Sequence, residues 1–183
     1  MWVEGDASID SISSEVISSS RLLVFSSSEV FVVVPSPIPI ASDHAGFELK
    51  QKLAARLAQL GYEVEDLGTH SPDSTDYADF AHPLANLVQS GAAERGVLLC
   101  GTGLGMAYAA NRHPNVRAAV AWTAEIAELA RSHNDANVLV IPARFVSDEE
   151  ANRILETWLN TPFEGGRHQR RVQKIEQLPE DVR

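Results

Sequence analysis

The stretch that most constrains the fold is Val97-Leu98-Leu99-Cys100-Gly101-Thr102-Gly103-Leu104-Gly105-Met106. It opens with a short apolar run, Val97 to Leu99, which reads as a buried strand. Glycine then recurs at alternate positions, Gly101, Gly103 and Gly105, and a helix-forming segment runs from Met106 to Asn111. A strand, a glycine loop and a helix start together make an anion cradle. Glycine has no Cβ, so backbone N–H groups can turn inward, and a helix N-terminus adds about half a positive charge. Cys100, the only cysteine of the chain, stands where strand gives way to loop. Taken alone, the loop fits a tight steric turn as well as a ligand cradle, and the thiol fits a small buried hydrophobe as well as a base. It is not a dinucleotide fingerprint, because the sixth position is Met106, and no P-loop lysine comes after it.

The rest of the chain decides between those readings. Its 183 residues, 44% hydrophobic and 22% charged, suit one globular domain with a sizeable core. A formal net charge of −10 argues against a nucleic-acid partner. No apolar run approaches the roughly 18 residues of a membrane span, so no membrane role is expected. A single cysteine forms no internal disulfide and suits a reducing compartment, and Met1 to Asp6 lack a basic signal region, so a cytoplasmic location is expected.

Residues 1–36 differ in character from the remainder of the chain. They are serine-rich and enclose two apolar runs, Arg21 to Phe25 and Val30 to Val34, with strand propensity. They read as a poorly ordered extension outside the main fold, or as an added edge strand or an unusual start. The domain proper takes in residues 37–183. Strands are expected at Ile38 to Ser42, Tyr62 to Leu67, Ala93 to Cys100, Val116 to Trp122 and Asn137 to Ile141. Helices are expected at Phe47 to Leu60, Asp76 to Ser90, Leu104 to Arg112, Thr123 to Ser132, Ser147 to Leu159 and Glu164 to Gln177. Leu49, Leu53, Leu57 and Leu60 give the first its apolar face, and Gly61 closes it. Thr123 is an N-cap, and Ser147-Asp148-Glu149-Glu150 is a capping-box pattern. Strands alternating with helices imply an α/β fold in three layers, α/β/α and Rossmann-like, around a five-stranded parallel sheet. Ligands of such sheets lie beyond the carboxyl ends of the strands. Asp43 and His44, Cys100 to Gly105, and Arg144 should therefore converge.

Two further groups carry chemistry. Arg167 and Arg171 stand four apart on one helix face, where two guanidinium forks suit a phosphate, or simply neutralise nearby acids. His133-Asn134-Asp135 offers a proton shuttle, or a capping turn. His70, His82 and His113 show no partner pattern and are assigned to surface or packing. No spacing matches a metal-binding motif.

Ser42-Asp43-His44-Ala45-Gly46-Phe47, Thr75-Asp76-Tyr77, Cys100-Gly101-Thr102-Gly103-Leu104-Gly105, Ala110-Asn111, His133-Asn134-Asp135 and Glu164-Gly165-Gly166-Arg167-His168 occur in that order. This set resembles the type B ribose-5-phosphate isomerases, within a wider group that includes galactose-6-phosphate isomerase subunits. The resemblance spans about residues 38 to 178 and leaves 1–36 without a counterpart. It implies metal-independent, cofactor-free interconversion of ribose 5-phosphate and ribulose 5-phosphate. It makes Cys100 the base that moves a proton between C1 and C2, and His133 the group that assists ring opening. It gives the loop residues Gly101, Thr102, Gly103, Leu104 and Gly105 to the enediolate oxygens. Asp43, His44 and Asn134 contact substrate, and Arg167 and Arg171 hold phosphate with Arg144 nearby. Arg170 matches no motif position. Members of the group are homodimers or dimers of dimers with sites shared between subunits. A hexose 6-phosphate isomerase, or a sugar-phosphate-binding module without turnover, stands as the alternative.

Overall fold

The computed structural model describes residues 36–177. Five strands, β1 (Ile38–Ser42), β2 (Val64–Asp66), β3 (Gly96–Cys100), β4 (Ala118–Val120) and β5 (Val138–Pro142), form one sheet in the order β2-β1-β3-β5-β4, with every pairing parallel. The helices are α1 (Phe47–Gln59), α2 (Ala78–Gln89), α3 (Leu104–Ala110), α4 (Ala124–Asn134), α5 (Asp148–Asn160) and α6 (Arg167–Glu176). The expected three-layer α/β/α architecture is present. The two apolar runs of residues 1–36 lie outside the described residues. Among the described residues no helix is long and apolar enough to cross a membrane.

The pleat explains the two cores. Side chains alternate across a strand, so Val97 and Leu99 pack with α1, α4 and α5, while Leu98 and Cys100 face α2 and α3. Leu49, Leu53 and Leu57 of α1 are buried as their spacing requires, but Leu60 lies past the helix end and is exposed. Trp158 of α5 is fully buried and donates its indole N–H to Ala136 O at 3.2 Å. Burying a side chain of that size stabilises by a few kcal/mol.

The elements depart from the sequence pattern where a second contact decides. β2 and β4 are shorter than the alternation suggests, because each is an edge strand with one neighbour. The Asn111 side chain covers the β4 edge, donating to Ala118 O and accepting from Ala118 N–H, both at 2.8 Å. Ser147 caps α5 by accepting from Glu150 N–H at 3.2 Å, but the Glu150 carboxylate does not close the box. It accepts instead from Ala124 N–H at 3.0 Å, in the first turn of α4. The last helix starts at Arg167 rather than Glu164, because Gly165 and Gly166 take φ of +65° and +54°.

Candidate active site

The parallel register brings three strand ends to one edge. Ser42 pairs with Leu99, and Cys100 pairs with Pro142. Asp43, the glycine loop and Arg144 therefore meet at the carboxyl end of the sheet, as expected. Cys100 is 4% exposed, and its Sγ accepts from Gly103 N–H at 3.1 Å. The thiol thus sits against the inward-facing amide of the loop. Ala143 and Arg144 donate their N–H groups to Cys100 O and Gly101 O at 2.9 and 3.1 Å, which fixes Arg144 beside the loop. A Cβ on Gly101 would stand 3.3 Å from Arg144 Cδ, and one on Gly105 only 2.7 Å from the Tyr77 ring. Thr102 and Leu104 complete the turn, with a long 3.4 Å contact from Leu104 N–H to Thr102 Oγ1.

Gly103 is the residue that this turn cannot replace. Its φ is +78°, and an added Cβ would lie 2.9 Å from Val120 Cγ1. Gly103→Ala is expected to destabilise the fold by roughly 1–2 kcal/mol from the left-handed backbone alone. It should also displace the N–H that faces Cys100. A melting curve and a turnover assay on the same preparation check both effects.

One oxygen of Asp43 is occupied by its own turn. Its Oδ1 accepts from Ala45 and Gly46 N–H at 2.9 and 3.1 Å, capping the short 3-10 turn at His44–Gly46. His44 is oriented by a partner the sequence did not reveal: Thr75 N–H donates to its Nδ1 at 3.2 Å. The ring thereby presents Nε2 to other partners. Thr75 and Tyr77 belong to one of the motifs that carry the resemblance, and only the fold shows that they touch His44 and Gly105.

The remaining site residues do not join this cluster within one chain. β5 begins at Val138, opposite Gly96, and His133 and Asn134 precede it at the C-terminal end of α4. The four-residue step from Gly96 to Cys100 separates the two ends by roughly 13 Å of strand. At the amino end of the sheet a second cluster forms. Glu164 N–H donates to Ser132 O at 3.0 Å, and this anchors the start of the segment leading to α6. The rings of His133 and His168 stack with centroids 4.2 Å apart and planes 8° from parallel. Glu164 Oε2 lies 3.8 Å from His133 Nε2 and 3.7 Å from His168 Nε2. Arg167 Nε–H donates to His168 Nε2 at 3.2 Å. Burial, followed by the nearby His133 and Arg167, holds the His168 ring below the usual histidine value.

Arg167 and Arg171 project from this cluster, exposed. Among the described residues no salt bridge engages either, so the reading that they neutralise nearby acids finds no partner. The capping reading of His133-Asn134-Asp135 holds for Asp135 alone. It ends α4 in the left-handed region and pairs with Arg117 and Arg131.

His133, Glu164 and His168 offer metal-ligating atoms within 4.8 Å of one another, a grouping the spacing did not show. Stacked, nearly parallel rings aim their lone pairs alongside each other rather than at one point, and His168 Nε2 already accepts from Arg167. A cation would require one ring to turn. His82 and His113 are also paired, with Nδ1 and Nε2 2.8 Å apart, although 31 residues separate them. Their contact joins α2 to the turn after α3 and lies outside both clusters.

Beside the Cys100 loop lies an open groove of about 510 Å³ lined by Thr102, Leu104, Val120, Trp122, Pro142 and Phe145. Its walls are largely apolar, and Trp122 and Phe145 are 54% and 72% exposed.

The sequence profile of the Ribose/Galactose Isomerase family matches residues 38–175. The ribose-5-phosphate isomerase B of Escherichia coli is 44% identical over 138 residues, which are 75% of this chain and 93% of that protein. A ribose 5-phosphate isomerase crystal structure from Thermotoga maritima superposes with a TM-score of 0.76 at 52% identity, covering 78% of this chain and 99% of that one. The Mycoplasma genitalium ribose-5-phosphate isomerase B, crystallised with bound ribulose-5-phosphate, superposes with a TM-score of 0.74 at 44% identity, covering 76% and 93%. With the family profile matching most of the chain and the fold shared at this identity, the chain belongs to the ribose/galactose isomerase family and is of the ribose-5-phosphate isomerase B type.

Proposed function

We propose that this chain interconverts ribose 5-phosphate and ribulose 5-phosphate through an enediolate, without a metal, in a site completed by a second copy of itself. The observation that carries the reading is the Cys100 thiol held against Gly103 N–H at the carboxyl edge of the sheet. In the aldose direction, His133 assists opening of the furanose ring. The Cys100 thiolate then takes the proton from C2. The electron pair of that C–H bond forms the C1–C2 double bond as the carbonyl π pair moves to O1, and the O2 hydroxyl proton passes to O1, so the negative charge is shared between the two oxygens. Return of the proton from Cys100 to C1, as the O2 electrons form the new carbonyl at C2, gives the ketose. Amides fixed by Gly101, Gly103 and Gly105 lie where that charge develops, and such preorganised donors are worth several kcal/mol in comparable oxyanion sites.

Phosphate binding falls to the cations. Arg144 stands beside the loop, while Arg167 and Arg171 stand exposed at the other end of the sheet. One chain cannot bring all three to one pentose phosphate. A partner related by a twofold axis supplies the Arg167, Arg171, His133 and Asn134 of its own second cluster to the first chain's loop. The exposed apolar groove beside the loop suits the seat of that partner. Asp43 and His44 contact the sugar from the first chain. Residues 37–183 form the isomerase domain, and 1–36 lie outside it.

The test is a substrate panel. Ribose 5-phosphate is expected to turn over faster than allose 6-phosphate or galactose 6-phosphate, and activity is expected to persist in EDTA. Preference for a hexose phosphate would move the assignment to the galactose side of the family. A strict metal requirement would overturn the thiolate mechanism, and no turnover of any of the three would support a binding module.

A further inference from the structure

The ring stacked on His133 has no part in the chemistry above, yet it is the more buried of the two. We propose that His168 and Glu164 are positioning residues for His133, fixing the plane of its imidazole and the seat of its proton against a furanose ring. The inference rests on His133 acting in ring opening. That step removes a proton from the C1 hydroxyl and delivers one to the ring oxygen, as the C1–O bond breaks and its electrons pass to that oxygen. A ring performing both transfers must keep one orientation, since a misplacement of about 1 Å can cost a hundredfold.

His133 stands in the last turn of α4 with its side chain 35% exposed, and a ring so placed needs a packing partner to hold one orientation. The 4.2 Å stack supplies that constraint. His168 is itself immobilised: it is 5% exposed and accepts from Arg167 Nε–H. Charged and titratable groups face it from two helices and a loop. Arg167 and Arg171 of α6 and His133 of α4 disfavour a cationic ring, as does burial, and Glu164 of the preceding loop opposes them. A neutral His168 can stack on His133 whether or not His133 carries a proton. A second cation there would repel it at close range. Glu164 Oε2 is nearly equidistant from both Nε2 atoms and beyond hydrogen-bond length, so its carboxylate faces the stacked pair as a whole.

The experiment compares the full chain with His168→Ala, His168→Phe, Glu164→Gln and His133→Ala. For each, kcat and KM on ribose 5-phosphate are measured from about pH 5 to 9, with a melting curve. His168→Ala is expected to lower kcat about tenfold with little change in KM, and His168→Phe, which keeps a flat face, to recover most of it. Glu164→Gln is expected to lower kcat several-fold with little change in KM, because the carboxylate facing both Nε2 atoms is lost. If His168→Phe melts like the wild type but is as slow as a folded His168→Ala, the stacking role is overturned. If His168→Ala does not fold, a wild-type kcat in Glu164→Gln still overturns the carboxylate's role. An inert wild type, or a His133→Ala variant with full activity, overturns the underlying reading instead, and the inference with it.

Discussion

Cys100→Ala is expected to lower kcat on ribose 5-phosphate by about 10³-fold or more, while the protein folds and binds substrate nearly as before. The size of the loss reflects which groups stand at the loop. Cys100 Sγ is the group held against the amide of Gly103, and His44 is tied to Thr75 N–H through Nδ1. The guanidinium of Arg144 has donors only and cannot serve as a base. The stability cost is small by comparison. One heavy atom leaves a site facing α2 and α3, and losses on that scale run to about 1 kcal/mol. Phosphate affinity should survive, because Arg144, Arg167 and Arg171 are untouched. Steady-state kinetics beside a melting curve separate the two effects. A variant that retained near-wild-type kcat would remove Cys100 from the mechanism.

The second large effect concerns the divided site. Cys100→Ala and His133→Ala are each expected to be nearly inactive when pure. Co-expressed with different affinity tags and purified on both, they should form a mixed dimer with one intact site, formed by Cys100 of one chain and His133 of the other. Its activity is expected at about half the wild-type value per dimer, since twofold symmetry puts the two lesions together in the other site. If Cys100 and His133 acted within one chain, both sites of the mixed dimer would be broken and no activity would return. Strand register is the basis for this expectation: Gly96 opposes Val138 and Cys100 opposes Pro142, so the chain holds its two clusters at opposite ends of the sheet.

What the sequence revealed and what it concealed divide along a physical line. Among the described residues, local patterning placed the five strands and six α-helices, because the burial of Leu49, Leu53 and Leu57, or of Val97 to Leu99, is written in spacing alone. Caps were legible where one residue sufficed, as at Thr123, which accepts from Ile126 N–H at 3.3 Å. They were not where a distant element competed, as when Glu150 turned from its own helix to α4. Edge strands ran short because pairing, not propensity, ends them. The candidate site residues stood out in the sequence as motifs. Their partition did not, because no spacing says which end of a sheet a helix terminus will reach. The same holds for the stack of His133 on His168, the pairing of His82 with His113, and Thr75 beside His44. Each joins residues more than thirty apart in the chain.

Everything proposed for this site depends on the sulfur of Cys100 taking the hydrogen from C2. Ribose 5-phosphate deuterated at C2 tests that step without reference to overall turnover, with loss of the label followed by NMR. The wild type should strip deuterium from C2 as ketose forms, and Cys100→Ala should leave the label in place over the same period. Release of that deuterium by folded Cys100→Ala at a rate near the wild type's would contradict the thiolate's role.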